Sequence, residues 1–361
     1  MKAKIKKLSK SIQIQDEQLQ LIEKLSNACA IAGQEEEIRK IVLEEINPYA
    51  DDIRVDAMGN VLAIKKAKTS DAMKIMLAAH MDEVGFLILK ESEEGLYHFD
   101  IVGGIDPRMI AGKKVLIGHK HVQAIIGAAP IHLTSREERA RTIPVDQLRM
   151  DTGIGKNTNV TPGDLAAFDT KFQRYGETIR GKAFDDRLGV ANLIQLLKHA
   201  PDHIELQAAF TVQEEIGLRG ARTAAFALNP HIAFVLDATA SRDLPSYDGE
   251  ENTLYNTKIG HGPAIYIADS ATMSDPRLVK FVMEVADTNQ IPYQIRQPGP
   301  GGTDAGAIHK SRTGVPTLSM SIPCRYIHSA IGIARISDWE QSLNLMLAVL
   351  QNCDPSILDR N

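Results

Sequence analysis

The sequence predicts an α/β fold, split along the chain, with a small all-β module inserted between its halves. Three observations carry that reading. Apolar, β-branched stretches alternate with helical spacing through residue 85 and again after Gly181. Between them, from about Phe86 to Asp169, short strands and Gly-rich turns replace the long helices. At 361 residues the chain is long enough for a large core and two domains.

Taken in order, Asp16 to Ala30 reads as a helix, because Leu19, Ile22, Leu25 and Ala28 share a face. Ala32-Gly33 breaks it, and a second helix runs from Glu35 to Ile46 and stops before Pro48. Ile53–Val55 and Val61–Ile64 read as strands joined through Met58-Gly59-Asn60, and Lys74–Ala79 as a buried strand. The inserted module carries short strands at Leu87–Leu89, Tyr97–Val102, Lys114–Ile117 and Gln123–Ile126, which suit a small barrel or sandwich. Charged Ser135–Arg141 reads as a surface loop. After Gly181, Asp186–His199 is helical and Ile204–Val212 is a buried strand. A helix follows Gly217 and Gly220 and ends in Ala-Ala-Phe-Ala. Ile232–Leu236 is a strand ending at Asp237, and Ala264–Ile267 is another. The helix Asp275–Thr288 starts with Ser274 as its N-cap and Pro276 in its first turn. Thr303–Lys310 is helical, Thr317–Ser321 is a strand, and Ser337–Asn352 is a closing amphipathic helix. No internal repeat is present.

Composition excludes several function classes. A net charge of −5 gives no attraction to nucleic acid or an anionic membrane. No apolar run is long enough to span a bilayer. The basic start, Lys2 to Lys10, lacks the apolar segment of a signal peptide. Cys29, Cys324 and Cys353 are far apart and lack CxxC spacing, so neither a disulfide framework nor a thiolate zinc site is expected. Cytoplasmic residence follows as the default. With eleven histidines available, a metal site here would use His, Asp and Glu.

Phe210-Thr-Val-Gln-Glu-Glu-Ile-Gly217 is the stretch the rest is organised around. It places Glu214 and Glu215 where a strand stops and a helix begins, the edge at which α/β sheets bind ligands. Adjacent carboxylates point apart, so one can hold a metal while the other moves a proton. Alone, such a pair reads equally as solvated charge on a loop. Four more stretches end strands or loops with candidate ligands: His80-Met-Asp82, the Asp185-Asp186 pair, Asp237, and His328. His80 and Asp82 are two apart and share a side, the spacing for a ligating His held by a carboxylate. Each of the others has a bland reading, such as an N-cap for the paired aspartates. Together they supply two His, three carboxylates and a spare Glu. That is the inventory of a two-metal hydrolase, with ions ~3.5–4 Å apart, one bridging carboxylate, and a His and a terminal carboxylate on each ion.

These motifs resemble the M42 family of metallo-aminopeptidases, the self-compartmentalising tetrahedral, glutamyl aminopeptidase-like enzymes. The resemblance covers nearly the whole chain. It rests on His80-Met-Asp-Glu-Val-Gly-Phe, Gly181-Lys-Ala-Phe-Asp-Asp-Arg-Leu-Gly, Val212-Gln-Glu-Glu-Ile-Gly-Leu-Arg-Gly-Ala, Gly301-Gly-Thr-Asp-Ala-Gly-Ala-Ile-His and Ser321-Ile-Pro-Cys-Arg-Tyr-Ile-His-Ser. It implies a mixed-sheet, zinc-peptidase-like catalytic domain (residues 1–85 and 177–361) and an inserted barrel-like dimerisation domain (86–176). It implies two divalent ions, zinc or cobalt. Asp185 would bridge them, His80 and Glu215 would complete one, and Asp237 and His328 the other. Asp82 would orient His80, and Asp186 would support the site beside a cis Asp185–Asp186 peptide. Glu214 would be the general base, deprotonating a metal-bridged water that attacks the scissile carbonyl of a short peptide with a free N-terminus.

The resemblance further implies dimers that assemble into a tetrahedral dodecamer. The chain departs from the family pattern after Asp237. There Ser241–Asn256 is longer and more charged (Arg242, Asp243, Asp248, Glu250, Glu251) and falls near the substrate's first side chain. The Gly301–His309 motif either shapes the same pocket or is a structural turn. Two competing readings are glycoside hydrolysis and a non-catalytic peptide-binding particle. The first needs two carboxylates roughly 5–9.5 Å apart and leaves the metal ligands unexplained. The second would show a broken ligand set.

Overall fold

A computed structural model describes residues 5–155, 159–250, 252–253, 256–297 and 299–359. Lys2 and Lys4 of the basic start and Glu251 of the charged stretch lie outside the described residues.

The expected α/β part is a mixed sheet of eleven strands. Its centre is parallel, in the order Ile204–Thr211, Met73–His80, Ile232–Ala240, Thr317–Arg325. These strands are apolar throughout because both faces are covered. Along Met73–His80, alternate side chains serve opposite layers. Ile75, Leu77 and Ala79 pack with helix Phe184–Lys198, whereas Met76 and Ala78 pack with helix Arg219–Leu228. That last helix faces the sheet with Ala221, Ala224 and Ala225, so it lies close.

Antiparallel strands widen both edges. Val61–Lys65 and Asp52–Val55 extend one side. Gly332–Arg335, Thr178–Gly181 and Gln173–Tyr175 extend the other. Those last three are short and partly polar, and periodicity alone does not mark them.

The inserted module closes as a barrel rather than a sandwich. Six strands pair in a ring: Gly85–Glu93, Leu96–Val102, Arg149–Asp151, Val122–Gly127, Lys114–Ile117 and Leu165–Phe168, back to the first. Its core centres on Phe86, whose ring meets Phe99 edge-on at 5.4 Å and Phe168 at 5.1 Å.

Several boundaries differ from the sequence reading. The strand from Ile232 runs on to Ala240, so Asp237 lies inside it. Asp275, not Ser274, caps the following helix, because its carboxylate accepts from the Arg277 N–H at 2.9 Å. Charged Ser135–Arg141 holds one short helix, Arg136–Arg139, closed by a Ser135/Glu138 capping box.

Truncating Phe86 to Ala removes both ring contacts and should cost about 3–5 kcal/mol of barrel stability. Urea unfolding that shows less than 1 kcal/mol of loss would mean that the barrel does not depend on this ring.

Candidate metal centre

All four parallel strands deliver residues to one edge, at their C-terminal ends. His80 ends its strand, and Thr211, its register partner, ends the next. Asp237 lies level with Ser321. His328 follows strand Thr317–Arg325 in a turn where its own φ is +56°.

The loop after Thr211 carries Glu214 and Glu215, and its path is held from below. Asn60 accepts the Val212 N–H at 3.0 Å and donates to the Gly220 carbonyl at 3.1 Å. A Cβ on Gly220 would meet Asn60 Oδ1 at 2.2 Å and Val212 O at 2.5 Å, so only glycine allows this crossing. The Asp82 carboxylate then accepts the N–H groups of Glu214 (3.0 Å) and Glu215 (3.1 Å). Asp82 also accepts from His80 Nδ1 through its main-chain carbonyl, at 3.1 Å, while its carboxylate stands 3.6 Å from that nitrogen. Asp82 therefore serves the histidine mainly by its backbone and the glutamates by its side chain.

Asp185 precedes the regular part of its helix. The Asp185–Asp186 peptide is cis, as the resemblance implied. Asp186 accepts the N–H groups of His80 (3.1 Å) and Gly189 (3.0 Å), and its carboxylate lies within 4.8 Å of ligand atoms of His80 and Asp237. Glu83 clamps this segment to the His80 strand. It takes Lys182 Nζ at 2.6 Å and Arg187 Nη2 at 3.2 Å, with all three groups buried.

The candidate ligands converge. His80 Nε2 lies 3.0 Å from Asp185 Oδ1 and 3.9 Å from Asp237 Oδ1. His328 Nε2 lies 3.4 Å from Asp185 Oδ2 and 3.3 Å from Glu215 Oε2. His328 Nδ1 donates to the Gly104 carbonyl of the barrel at 3.0 Å, which leaves Nε2 free to ligate. Asp185 thus stands between the two imidazoles. By these distances His80 stands nearer Asp237 and His328 nearer Glu215, whereas the resemblance pairs His80 with Glu215 and His328 with Asp237. A looser His80–Asp185–Glu215 trio falls within 4.8 Å, but the direct His328–Glu215 approach is shorter.

The electrostatics fit divalent cations. Burial pushes the Glu215 carboxyl up to about 7, with His328 pulling down and Asp185 pushing up. Burial and then Asp185 hold Asp237 well above the usual carboxylate range. Burial raises Glu214 in the same way, opposed by His80 and reinforced by Asp304. Burial works against charge on His328, but its hydrogen bond to Asp185 wins and lifts it to about 10. So many buried carboxylates in one place repel one another until positive charge arrives. Imidazole nitrogens and carboxylate oxygens suit zinc, cobalt or manganese rather than a thiolate-seeking metal.

Comparison with known proteins identifies the family. The model of the family described as M42 glutamyl aminopeptidase matches residues 59–345. This chain belongs to the M42 aminopeptidase family. The lysyl aminopeptidase of Pyrococcus furiosus is 29% identical over 93% of this chain and 97% of its own. A TET aminopeptidase from a marine sediment Thaumarchaeota archaeon superposes with a TM-score of 0.89. It is 33% identical, over 95% of this chain and 98% of that one. The TET1 peptidase of Pyrococcus horikoshii superposes at 0.79, with 34% identity over 92% and 98% of the chains. Its structure is described as assembling into a tetrahedron or a large octahedral shell.

The ligand edge opens into a cavity of about 640 Å³. Glu214, Glu215, Tyr266, Arg242, Arg296 and His328 are among its lining residues. The sequence reading missed Tyr266, Arg296, the Glu83 clamp and the Gly104 carbonyl. Tyr266, Arg296 and Gly104 sit in no motif with ligand spacing, whereas Glu83, Lys182 and Arg187 fall inside the motifs around His80 and Asp185 at positions given no role there. Only the isolated Arg296, just before a Gly-rich run, offered a signal. In the Gly301–His309 motif, Gly301 and Gly302 line the cavity, while buried Asp304 accepts from Thr211 Oγ1 at 2.5 Å beneath it, so the motif shapes the pocket and supports it.

Raised carboxyls and a raised His328 hold protons in the metal-free fold, so that fold loses stability as pH rises. The window runs from the usual carboxylate range to about 7 for Glu215, and from the usual histidine range to about 10 for His328. Chelator-treated protein should therefore melt at a lower temperature at pH 7.5 than at pH 5.5. Added zinc should restore most of the difference and release protons on binding. A metal-free melting temperature that stays flat or climbs over this range would contradict the charge arrangement.

Proposed function

We propose that this chain is a dinuclear-metal aminopeptidase that removes N-terminal residues from short peptides. The observation that carries it is the meeting of His80, His328, Asp185, Glu215 and Asp237 on one buried edge, with Glu214 beside them at the cavity wall. Asp185 would bridge two ions, zinc or cobalt. His80 and Asp237 would complete one, and His328 and Glu215 the other. Bound ions supply the positive charge that polarises the scissile carbonyl and acidifies water. The chain's own groups do the rest. Glu214 takes a proton from the attacking water and returns it to the leaving amine. Its burial suits this role, because a carboxyl held above its usual range accepts a proton near neutral pH. Asp82 fixes both the His80 ring and the backbone of Glu214, so base and ligand are set by one residue.

Residues 86–176, the barrel module, would join subunits into dimers, and dimers into a tetrahedral dodecamer. Support comes from apolar side chains exposed on the module, including Ile131 (69% exposed) and Leu133 (73%), and from the shells described for the Pyrococcus horikoshii relative. Cytoplasmic residence is proposed on cysteine usage, since Cys29, Cys324 and Cys353 are unpaired. No described helix is long and apolar enough to cross a membrane. Glycoside hydrolysis gains nothing from the geometry, because it leaves both histidines without work. A binding-only particle is disfavoured by a complete ligand set.

The test is release of amino acids from short peptides by dialysed protein, before and after zinc, cobalt or manganese, with N-acetylated peptides as controls. Metal-restored cleavage of free-amine peptides alone is expected. Glu214→Gln should lower kcat roughly 10²–10⁴-fold while metal content is unchanged. Near-native turnover by that variant would remove Glu214 from the mechanism.

A further inference from the structure

Away from the large cavity, a thiol, a carboxylate and an imidazole meet where the first two helices face the barrel. Cys29 Sγ, a carboxylate oxygen of Glu37 and a ring nitrogen of His121 all lie within 4.8 Å of one another. None of the three lines the cavity beside His80 and His328. Each comes from a different piece of chain. Cys29 follows helix Asp16–Asn27, and Glu37 stands in the first turn of helix Glu36–Ile46. His121 ends the tight turn between barrel strands Lys114–Ile117 and Val122–Gly127, where its backbone is left-handed (φ +50°). Ligands drawn from three separate stretches leave no local spacing in the sequence, so the lack of a CxxC pattern does not bear on them.

Existing contacts hold the trio together. Glu37 accepts the Cys29 N–H at 2.9 Å with one oxygen and turns the other to His121 Nε2 at 2.5 Å. The segment that bears Cys29 is itself tied down on both sides. Lys182 Nζ donates to Ala28 O at 2.6 Å, and the Ala30 N–H donates to Glu83 Oε1 at 3.0 Å. A small cavity of about 10 Å³ is lined by Cys29, Gln34, Glu37, Gly118 and His119, which is room for one water-sized particle. Gln34 Nε2 donates to His119 Nε2 at 2.6 Å, so the second imidazole of this turn also presents a ring lone pair.

The donor set suits a particular kind of ion. Tetrahedral zinc holds sulfur at ~2.3 Å and nitrogen or oxygen at ~2.0–2.2 Å, which sets its ligands roughly 3.3–3.8 Å apart. A trio already within 4.8 Å reaches that spacing by small side-chain shifts. Glu37 and His121 are 34% and 41% exposed, so both can move and an ion can enter. Burial pushes the Cys29 thiol up to about 11, against the pull of Lys182. Only a metal with a strong hold on sulfur ionises such a thiol near neutral pH, which favours zinc or cobalt over magnesium or calcium.

We infer that Cys29, Glu37 and His121 form a separate site for a zinc-type ion, its fourth position filled by water or by His119, that staples the barrel to the first two helices. Binding forms a metal–sulfur bond and breaks the S–H bond. The thiol proton, and the proton shared by Glu37 and His121, pass to solvent. The site does not depend on the aminopeptidase reading.

The test loads the full chain with cobalt and records its near-ultraviolet spectrum. A sulfur-to-cobalt charge-transfer band is expected, which imidazole and carboxylate ligands alone do not give. Cys29→Ser and His121→Gln should each remove the band and bind one metal equivalent fewer per chain by elemental analysis. His121 lies on an exposed turn, so His121→Gln carries the test should Cys29→Ser fail to fold. Absence of the band in the wild type would overturn the inference. So would a band that survives Cys29→Ser, because it would come from another thiol, or a band and metal content unchanged by His121→Gln. Loss of one equivalent in these variants supports the site whether or not the protein cleaves peptides.

Discussion

Asp185 is held between two imidazoles, 3.0 Å from His80 and 3.4 Å from His328, and the rest of the molecule is arranged to keep it there. One carboxylate can face two histidines only if both strand ends and the start of a helix meet at one point. Each is secured from a different direction. Glu83 ties the Asp185 segment to the His80 strand through Lys182 and Arg187. Breaking such a buried ion cluster costs roughly 3–5 kcal/mol, more than most surface contacts together. Asp186 takes the His80 amide, and Asp82 takes the amides of both glutamates. These holding groups are as buried as the ligands they position.

The barrel takes part in this arrangement. Gly104 lies beyond its second strand, and its carbonyl takes the Nδ1 proton of His328. A Cβ on Gly104 would stand 3.0 Å from that nitrogen, so the close approach also favours glycine here. His328 sits in a turn with a left-handed backbone and is the more exposed of the two histidines. Its orientation depends on the inserted module more than on the sheet. Motion of the module would therefore be felt first at His328 and Glu215, and less at His80 and Asp237, which are set by sheet strands.

Much of this was legible in the sequence, for a physical reason. Parallel strands covered on both faces must be apolar, so His80, Asp237 and the Glu214–Glu215 pair stand out as charge at the ends of apolar runs. Which histidine comes to lie nearer which carboxylate was not legible. It depends on how far the sheet's strand order brings His328 towards Glu215, and no local spacing encodes that. The N-cap at Asp275 was missed because Ser274 and Asp275 are both good caps, and only backbone geometry chooses between them. Strand Gly332–Arg335 and the hairpin Gln173–Gly181 were missed because short edge strands carry little alternation. The Glu83 clamp joins residues about a hundred positions apart, a relation the chain itself does not display.

The two walls of the cavity obey different constraints, and this explains where selectivity can reside. The ligand wall consists of strand ends in fixed register and the loops that follow them, where Asp82 and Asp186 hold amides while Asp185 and Glu215 face histidines. A change there disturbs several partners at once. The opposite wall consists of Tyr266, Arg296 and the glycine-rich run to Gly302, outside the central parallel strands. A side chain there answers mainly to its own neighbours. The proposed chemistry is tied to the sheet, while the opposite wall stands on segments that can vary without moving the candidate ligands.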